Sequence, residues 1–201
     1  MLKILQSILR PLLTIMLIMS TPILAETAKK VKSPLSAKQE KVIQTVYNIG
    51  KQIKADDGMT FEWAAVGITF SESSAGKNLI GDESPDLKLR KASLGSMQVR
   101  LSTAKWVIKK DPLMNKYYSF LLKPKMEKRL ISLLLSDVKF SAMIAITYLK
   151  MNYNCWLKKG HKNPYFHAIS RYNGGNNNTV YFAKVKKNIK NIKRWKAIKT
   201  I

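Results

Sequence analysis

Apolar residues recur at helical spacing through most of this chain, and short polar clusters mark where helices begin and end. Val42, Val46, Ile49 and Ile53 follow Ser36-Ala37-Lys38-Gln39, which has the form of a capping box. A first helix is therefore predicted to run to about Ala55, ended by Asp56-Asp57-Gly58. The next apolar run, Phe61 to Phe70, has no clean polar face. It predicts a helix buried nearly all round, capped by Thr60 and carrying Glu72 at its end. Residues 74 to 94 hold Gly76, Gly81 and Pro85 without helical period, which predicts a loop or short hairpin. Helices are predicted again from a Ser102 cap through Trp106 and Val107, over about 125–135, and from Ser136-Asp137 through Ala142, Ala145 and Leu149 to about Tyr153. Asn163 with Pro164 reads as a cap with proline at the first helical position, and Asn173-Gly174-Gly175 as that helix's stop. Phe182, Val185, Ile189 and Ile192 form one stripe of a last helix. The pattern shows no internal repeat and predicts a mainly α fold with a small loop or hairpin region.

The first 25 residues read differently. Lys3 and Arg10 form a basic start, Leu12 to Ile18 is apolar, and Ala25 stands before Glu26. This is a secretory leader pattern, and its apolar stretch is short for a spanning helix, which needs about 20 residues. Cleavage after Ala25 places the protein in the periplasm, and an uncleaved leader would anchor it there. Residues 26–35 read as a basic linker and 36–201 as one domain, long enough to bury a sizeable core.

The charge is extreme. The formal net charge is +24, or +22 without Lys3 and Arg10, so the chain seeks a polyanion. Export argues against nucleic acid. Anionic wall polymer and an anionic membrane surface remain, and the stretch from Lys184, with eight Lys or Arg and no acid, is the obvious contact. Cys155 is the only cysteine, which excludes an intrachain disulfide. Between Tyr153 and Trp156 it reads as a buried structural thiol. One cysteine and two histidines, His161 and His167, give no metal-ligand spacing, and no cofactor is implied.

Glu72 is the candidate for chemistry. A carboxylate delivered from the end of a buried helix is partly desolvated, which favours its protonated form. A general acid working near neutrality needs that shift, from about 4.3 to roughly 6–7, a differential solvation of about 3–4 kcal/mol. Further along stand Gly95-Ser96-Met97-Gln98 and Tyr172-Asn173-Gly174-Gly175. As bare sequence, the first is an ordinary turn, the second a helix stop, and Glu72 a helix-end acid in solvent.

Taken together and in this order, Glu72-Ser73, Gly95-Ser96-Met97-Gln98 and Tyr172-Asn173-Gly174-Gly175 resemble the catalytic domain family of the soluble lytic transglycosylases. Ser96 replaces a Leu usual in that family, and Arg171 an Ala. A fourth element, Asp137 to Leu149, matches in part, with Ser141 and Ala145 where the family has Asn and Gly, followed by Tyr148. The resemblance spans about Phe61 to Tyr181 and implies a lysozyme-like helical domain with a hairpin beside the active-site cleft. It implies cleavage of the β-1,4 bond of peptidoglycan between N-acetylmuramic acid and N-acetylglucosamine, closing the sugar's 6-hydroxyl onto C1 to leave a 1,6-anhydro end. Glu72 would serve as sole acid and base. Ser73, Gly95, Ser96, Met97, Gln98, Tyr148, Tyr172 and Asn173 would contact substrate, with Tyr172 reaching toward Glu72. Secretion or flagellar machinery would be the partner class.

Two alternatives stay open. Asp82, Glu83 and Asp86 lie in a gap between Glu72 and Gln98 that is longer than usual, and a second carboxylate there would make a muramidase on the same fold. A cationic wall-binding protein with a degenerate site is the non-enzymatic reading.

Overall fold

The computed structural model describes residues 33–81 and 89–199. The leader, the linker up to residue 32 and the acids Asp82, Glu83 and Asp86 lie outside the described residues.

The capping box forms as expected. Ser36 Oγ accepts from the Gln39 N–H and Gln39 Oε1 accepts from the Ser36 N–H, and α1 runs Ala37–Gln52. It stops before Ala55 because Ile53 turns extended and Lys54 bridges Thr60. Thr60 is thus committed to that bridge, and Phe61 occupies the cap of α2 (Glu62–Ser73) without a side-chain hydrogen bond. The gap to α3 contains a hairpin of β1 (Ser93–Leu94) and β2 (Val99–Arg100), antiparallel with Leu94 opposite Val99. Gly95-Ser96-Met97-Gln98 is its turn. Helix α3 is Leu101–Lys110, with Arg100 rather than Ser102 at its cap.

Helix α4 (Pro112–Tyr118) carries no apolar period long enough to be read from sequence. Two short 3-10 turns, Ser119–Leu122 and Pro124–Met126, lead into α5 (Glu127–Ser136). Helix α6 (Val138–Lys158) is capped by Asp137, whose carboxylate accepts from the Phe140 N–H, and runs past Tyr153. Helices α7 (Pro164–Tyr172) and α8 (Thr179–Trp195) complete the domain, each opened by an asparagine cap, Asn163 and Asn178.

Mainly helical architecture is therefore observed, with α6 at its centre. It packs on α1, α2, α3, α5, α7 and the hairpin, while α2 lies between α1 and α8. The apolar run of α2 does bury on nearly every side: Ala64, Ala65, Val66, Gly67, Ile68 and Thr69 are all buried. At Gly67 a methyl group would meet Val185 and Ile189 of α8 within 3 Å, so the two helices touch backbone to side chain. Cys155 corrects the sequence reading, for it is exposed. Tyr153 faces the core, and a residue two positions on is turned about 200° away round the helix.

Asp111 shows how caps and charges stabilise this basic chain. Its Oδ1 accepts from the Leu113 and Met114 N–H groups, and its Oδ2 pairs with Lys150 Nζ of α6 at 2.6 Å. Burial works to raise its pKa, but the Lys150 pair and the two amides outweigh it and hold the carboxyl below the ordinary value. The group therefore stabilises the fold fully above its unfolded value near ~3.9, and that contribution fades as pH falls through the lower folded value. Asp111→Ala is expected to cost about 2 kcal/mol at neutral pH, with the difference from the parent shrinking in acid. Urea midpoints at neutral and acid pH check it.

Candidate active site

Glu72 sits on the last turn of α2, partly buried. The backbone after it is unusual. Ser74 and Ala75 both adopt left-handed conformations, φ 52° and 60°, although neither is glycine. A left-handed Ala costs roughly 1–2 kcal/mol, and such strain persists only where surrounding contacts enforce it. Here Gln39 Nε2 donates to the Ser74 carbonyl, and the Ala75 and Gly76 amides are bound to the Thr69 carbonyl and Ser73 Oγ. Helix α8 holds the same turn from the other side. Asn188 Nδ2 donates to Ser71 Oγ at 2.8 Å and Lys184 Nζ to the Ser71 carbonyl at 3.1 Å.

One partner of Glu72 was not singled out from the sequence. Tyr181, on the first turn of α8, donates its hydroxyl to Glu72 Oε1 at 2.5 Å. Tyr181 is almost wholly buried, and that burial together with the charge of Glu72 pushes its pKa far up. It stays a protonated donor at any physiological pH. Oε1 of Glu72 is thereby held as the acceptor of this bond. The signal that could have found Tyr181 was its place beside Phe182 and Val185 on the predicted stripe, where a buried hydroxyl demands a partner. Asn178 sets its position: the Asn178 side chain accepts from the Tyr181 N–H and donates to Asn173 Oδ1, tying α8 to the end of α7.

Beside Glu72 opens a cavity of about 340 Å³. It gathers five of the residues named from sequence: Glu72, Gln98, Tyr148, Tyr172 and Asn173. Val99, Ala145 and Gly174 complete its apolar and backbone wall, and Ser93, Thr103, Arg100 and Arg171 add polar groups that sequence reading did not assign to a site. Tyr172 does not spend its hydroxyl on Glu72. It donates to the Met97 carbonyl at 2.7 Å, pinning the hairpin turn to α7. Burial and the nearby charge of Glu72 raise its pKa well above the ordinary tyrosine value, so it too remains a donor. Gln98 has φ 53° and turns its amide inward, donating to the Gly95 carbonyl at 2.9 Å and the Asn78 carbonyl at 3.3 Å.

Four other residues expected at the substrate stand behind the wall instead. Ser73 is fully buried; its hydroxyl meets the Ser96 carbonyl at 2.5 Å and accepts from the Gly76 N–H at 2.7 Å. Ser96 and Met97 side chains are buried, Met97 in the main core. At Gly95 a methyl group would lie 2.0 Å from the Leu134 carbonyl oxygen, which requires glycine there. These residues position the turn that delivers Gln98 and lock it to Glu72's helix.

The two tyrosines should separate in mutagenesis. Tyr181→Phe removes a charge-assisted hydrogen bond from Glu72, worth about 1.5–3 kcal/mol; if Glu72 serves as a general acid, the variant is expected to turn over roughly 10–100-fold more slowly with little change in KM. Tyr172→Phe removes a neutral bond to a backbone carbonyl and is expected to cost about 1 kcal/mol of stability with a smaller loss of rate. Steady-state kinetics and thermal melts of both variants check this.

Among the described residues, no three His, Cys, Asp or Glu side chains cluster so as to hold a metal ion, and no single helix is long and apolar enough to cross a membrane. No protein-family model, curated protein or solved structure matches this chain.

Proposed function

We propose that this protein is an exported peptidoglycan lytic transglycosylase. The observation that carries the reading is the convergence of Glu72, Gln98, Tyr148, Tyr172 and Asn173, from three separated segments and α6, on one cavity. Cleaving a glycan needs an acid for the leaving oxygen and a wall that holds the sugar while positive charge develops at its anomeric carbon. Glu72 is the one carboxylate among the described residues that line the cavity. Glu72 would protonate the glycosidic oxygen, then accept the proton of the sugar's 6-hydroxyl as that oxygen closes on C1. Tyr181 would hold the carboxylate in one orientation through both steps. Atoms balance without water: the strand divides into a 1,6-anhydro end and a free 4-hydroxyl.

Charge supports the same substrate. Arg100 and Arg171 stand in the cavity wall, and Lys184, Lys186, Lys187 and Lys190 are exposed along α8. Peptidoglycan carries carboxylates on its peptide stems, and anionic polymer or membrane surface flanks it. Exposed charges act over about 8 Å at physiological ionic strength, so binding to sacculi should weaken steeply with salt. The leader pattern at residues 1–25 supports delivery to that compartment.

The experiment is release of dye from labelled sacculi by the purified protein. Release at low protein concentration supports a glycan-cleaving enzyme. Binding to sacculi with no release would return the chain to the wall-binding alternative.

A further inference from the structure

The cavity measures about 340 Å³, and its aromatic lining does not end at its mouth. Tyr172 stands edge-to-face with Tyr148, ring centres 6.0 Å apart, and Tyr148 stands edge-to-face with Trp106 at 5.9 Å. The two tyrosines line the cavity, whereas Trp106 lies outside it and is 43 % exposed. Trp106 belongs to α3, the helix that also supplies cavity residues: Arg100 at its cap and Thr103 in its first turn. Residues three apart share a helix face, so Trp106 lies on the face of Thr103, about 4.5 Å further along the axis.

We infer that Trp106 forms an outer sugar subsite, on which the glycan strand lies after it leaves the catalytic cavity. The inference rests on the proposed function for the identity of the ligand. A pyranose ring has a face of C–H groups that loses water favourably against an indole, while its hydroxyls stay in solvent at the rim. A lone exposed tryptophan would carry no such meaning. This one meets Tyr148, which in turn meets Tyr172 inside the cavity, and it sits on a helix, so its place is in part set before ligand arrives. The consequence is selectivity for length. A short oligomer fills the cavity without reaching Trp106, and a long one touches both.

The test measures binding without cleavage. In the Glu72→Gln protein, β-1,4-linked N-acetylglucosamine disaccharide and hexasaccharide are titrated with and without Trp106→Ala, and with Trp106→Phe as the conservative variant. The expected result is a loss on the order of tenfold in hexasaccharide affinity for Trp106→Ala, the factor that about 1.4 kcal/mol represents. Disaccharide affinity should not change, and Trp106→Phe should recover most of the loss. In protein labelled at the tryptophan indole nitrogens, the Trp106 resonance should move with hexasaccharide and not with disaccharide, a reading that needs no Trp106 variant to fold. Equal hexasaccharide affinity with and without Trp106, a Trp106 resonance indifferent to it, or no binding of either oligomer overturns the subsite. Failure of the parent protein to cleave sacculi while the length-dependent binding holds would overturn the proposed reaction and leave the subsite standing.

Discussion

Glu72→Gln is expected to abolish cleavage of sacculi while leaving the protein folded and wall-bound. The amide is nearly the size and shape of the carboxyl, and its carbonyl oxygen can still accept the Tyr181 hydroxyl that now meets Oε1 at 2.5 Å. The α1 and α8 contacts to the end of α2 at Ser74 and Ser71, and the bonds of the 75–76 amides back to Thr69 and Ser73, do not use the Glu72 side chain. The carboxylate's proton chemistry is removed. An amide can neither deliver a proton to the glycosidic oxygen nor take one from the 6-hydroxyl. One such transfer is typically worth about 10²–10⁴-fold, and in the proposed reaction the same group performs two. Dye release should fall to background with an unchanged circular dichroism spectrum. Asp82→Asn, Glu83→Gln and Asp86→Asn should each retain activity. Near-parental release by a folded Glu72→Gln protein would remove Glu72 from the reaction.

Gly95→Ala should produce the largest loss of stability among single-atom-group changes near the site. The added methyl would stand 2.0 Å from the Leu134 carbonyl oxygen, at a residue with φ +77°. The obstacle is backbone at the end of α5, which cannot rotate away as a side chain could. The left-handed conformation costs an alanine roughly 1–2 kcal/mol, and forcing the hairpin off α5 adds about 1–3 more. That sum is a large part of the roughly 5–15 kcal/mol that holds an ordinary domain together. Activity should fall with it. The Gly95 N–H is bound to the Leu79 carbonyl and the Gly95 carbonyl to Gln98, so any displacement moves a cavity residue directly. Denaturant midpoints measure the first effect and dye release, taken well below the midpoint, the second.

Much of this arrangement was legible in the sequence because it rests on local rules. The box at Ser36 and Gln39, the caps at Asp137 and Asn163, and the buried α2 run each follow from short-range chemistry and appear where expected. Helix α4 was missed because seven residues cannot display an amphipathic period, and Asp111 draws its importance from Lys150, thirty-nine positions away. The three motifs stood out in the sequence, and five of their residues, Glu72, Gln98, Tyr172, Asn173 and Gly174, line one cavity. What each motif residue does there was not. Gly95, Ser96, Met97 and Ser73 adjoin the site in sequence, yet they face inward, because a tight turn that presents one side chain to the cavity must bury its neighbours. Tyr181 was missed for the converse reason. Its role depends on α8 returning across the end of α2, a long-range packing that no local pattern records.

The cleavage products of purified sacculi test the proposed reaction at its root. After digestion with the parent protein, the soluble muropeptides should carry 1,6-anhydro ends and weigh one water less than hydrolysis products, and all of them should vanish with Glu72→Gln. Products with reducing ends would instead establish a hydrolase and bring Asp82, Glu83 and Asp86 forward as a second carboxylate, and an absence of any soluble product would remove the enzyme altogether.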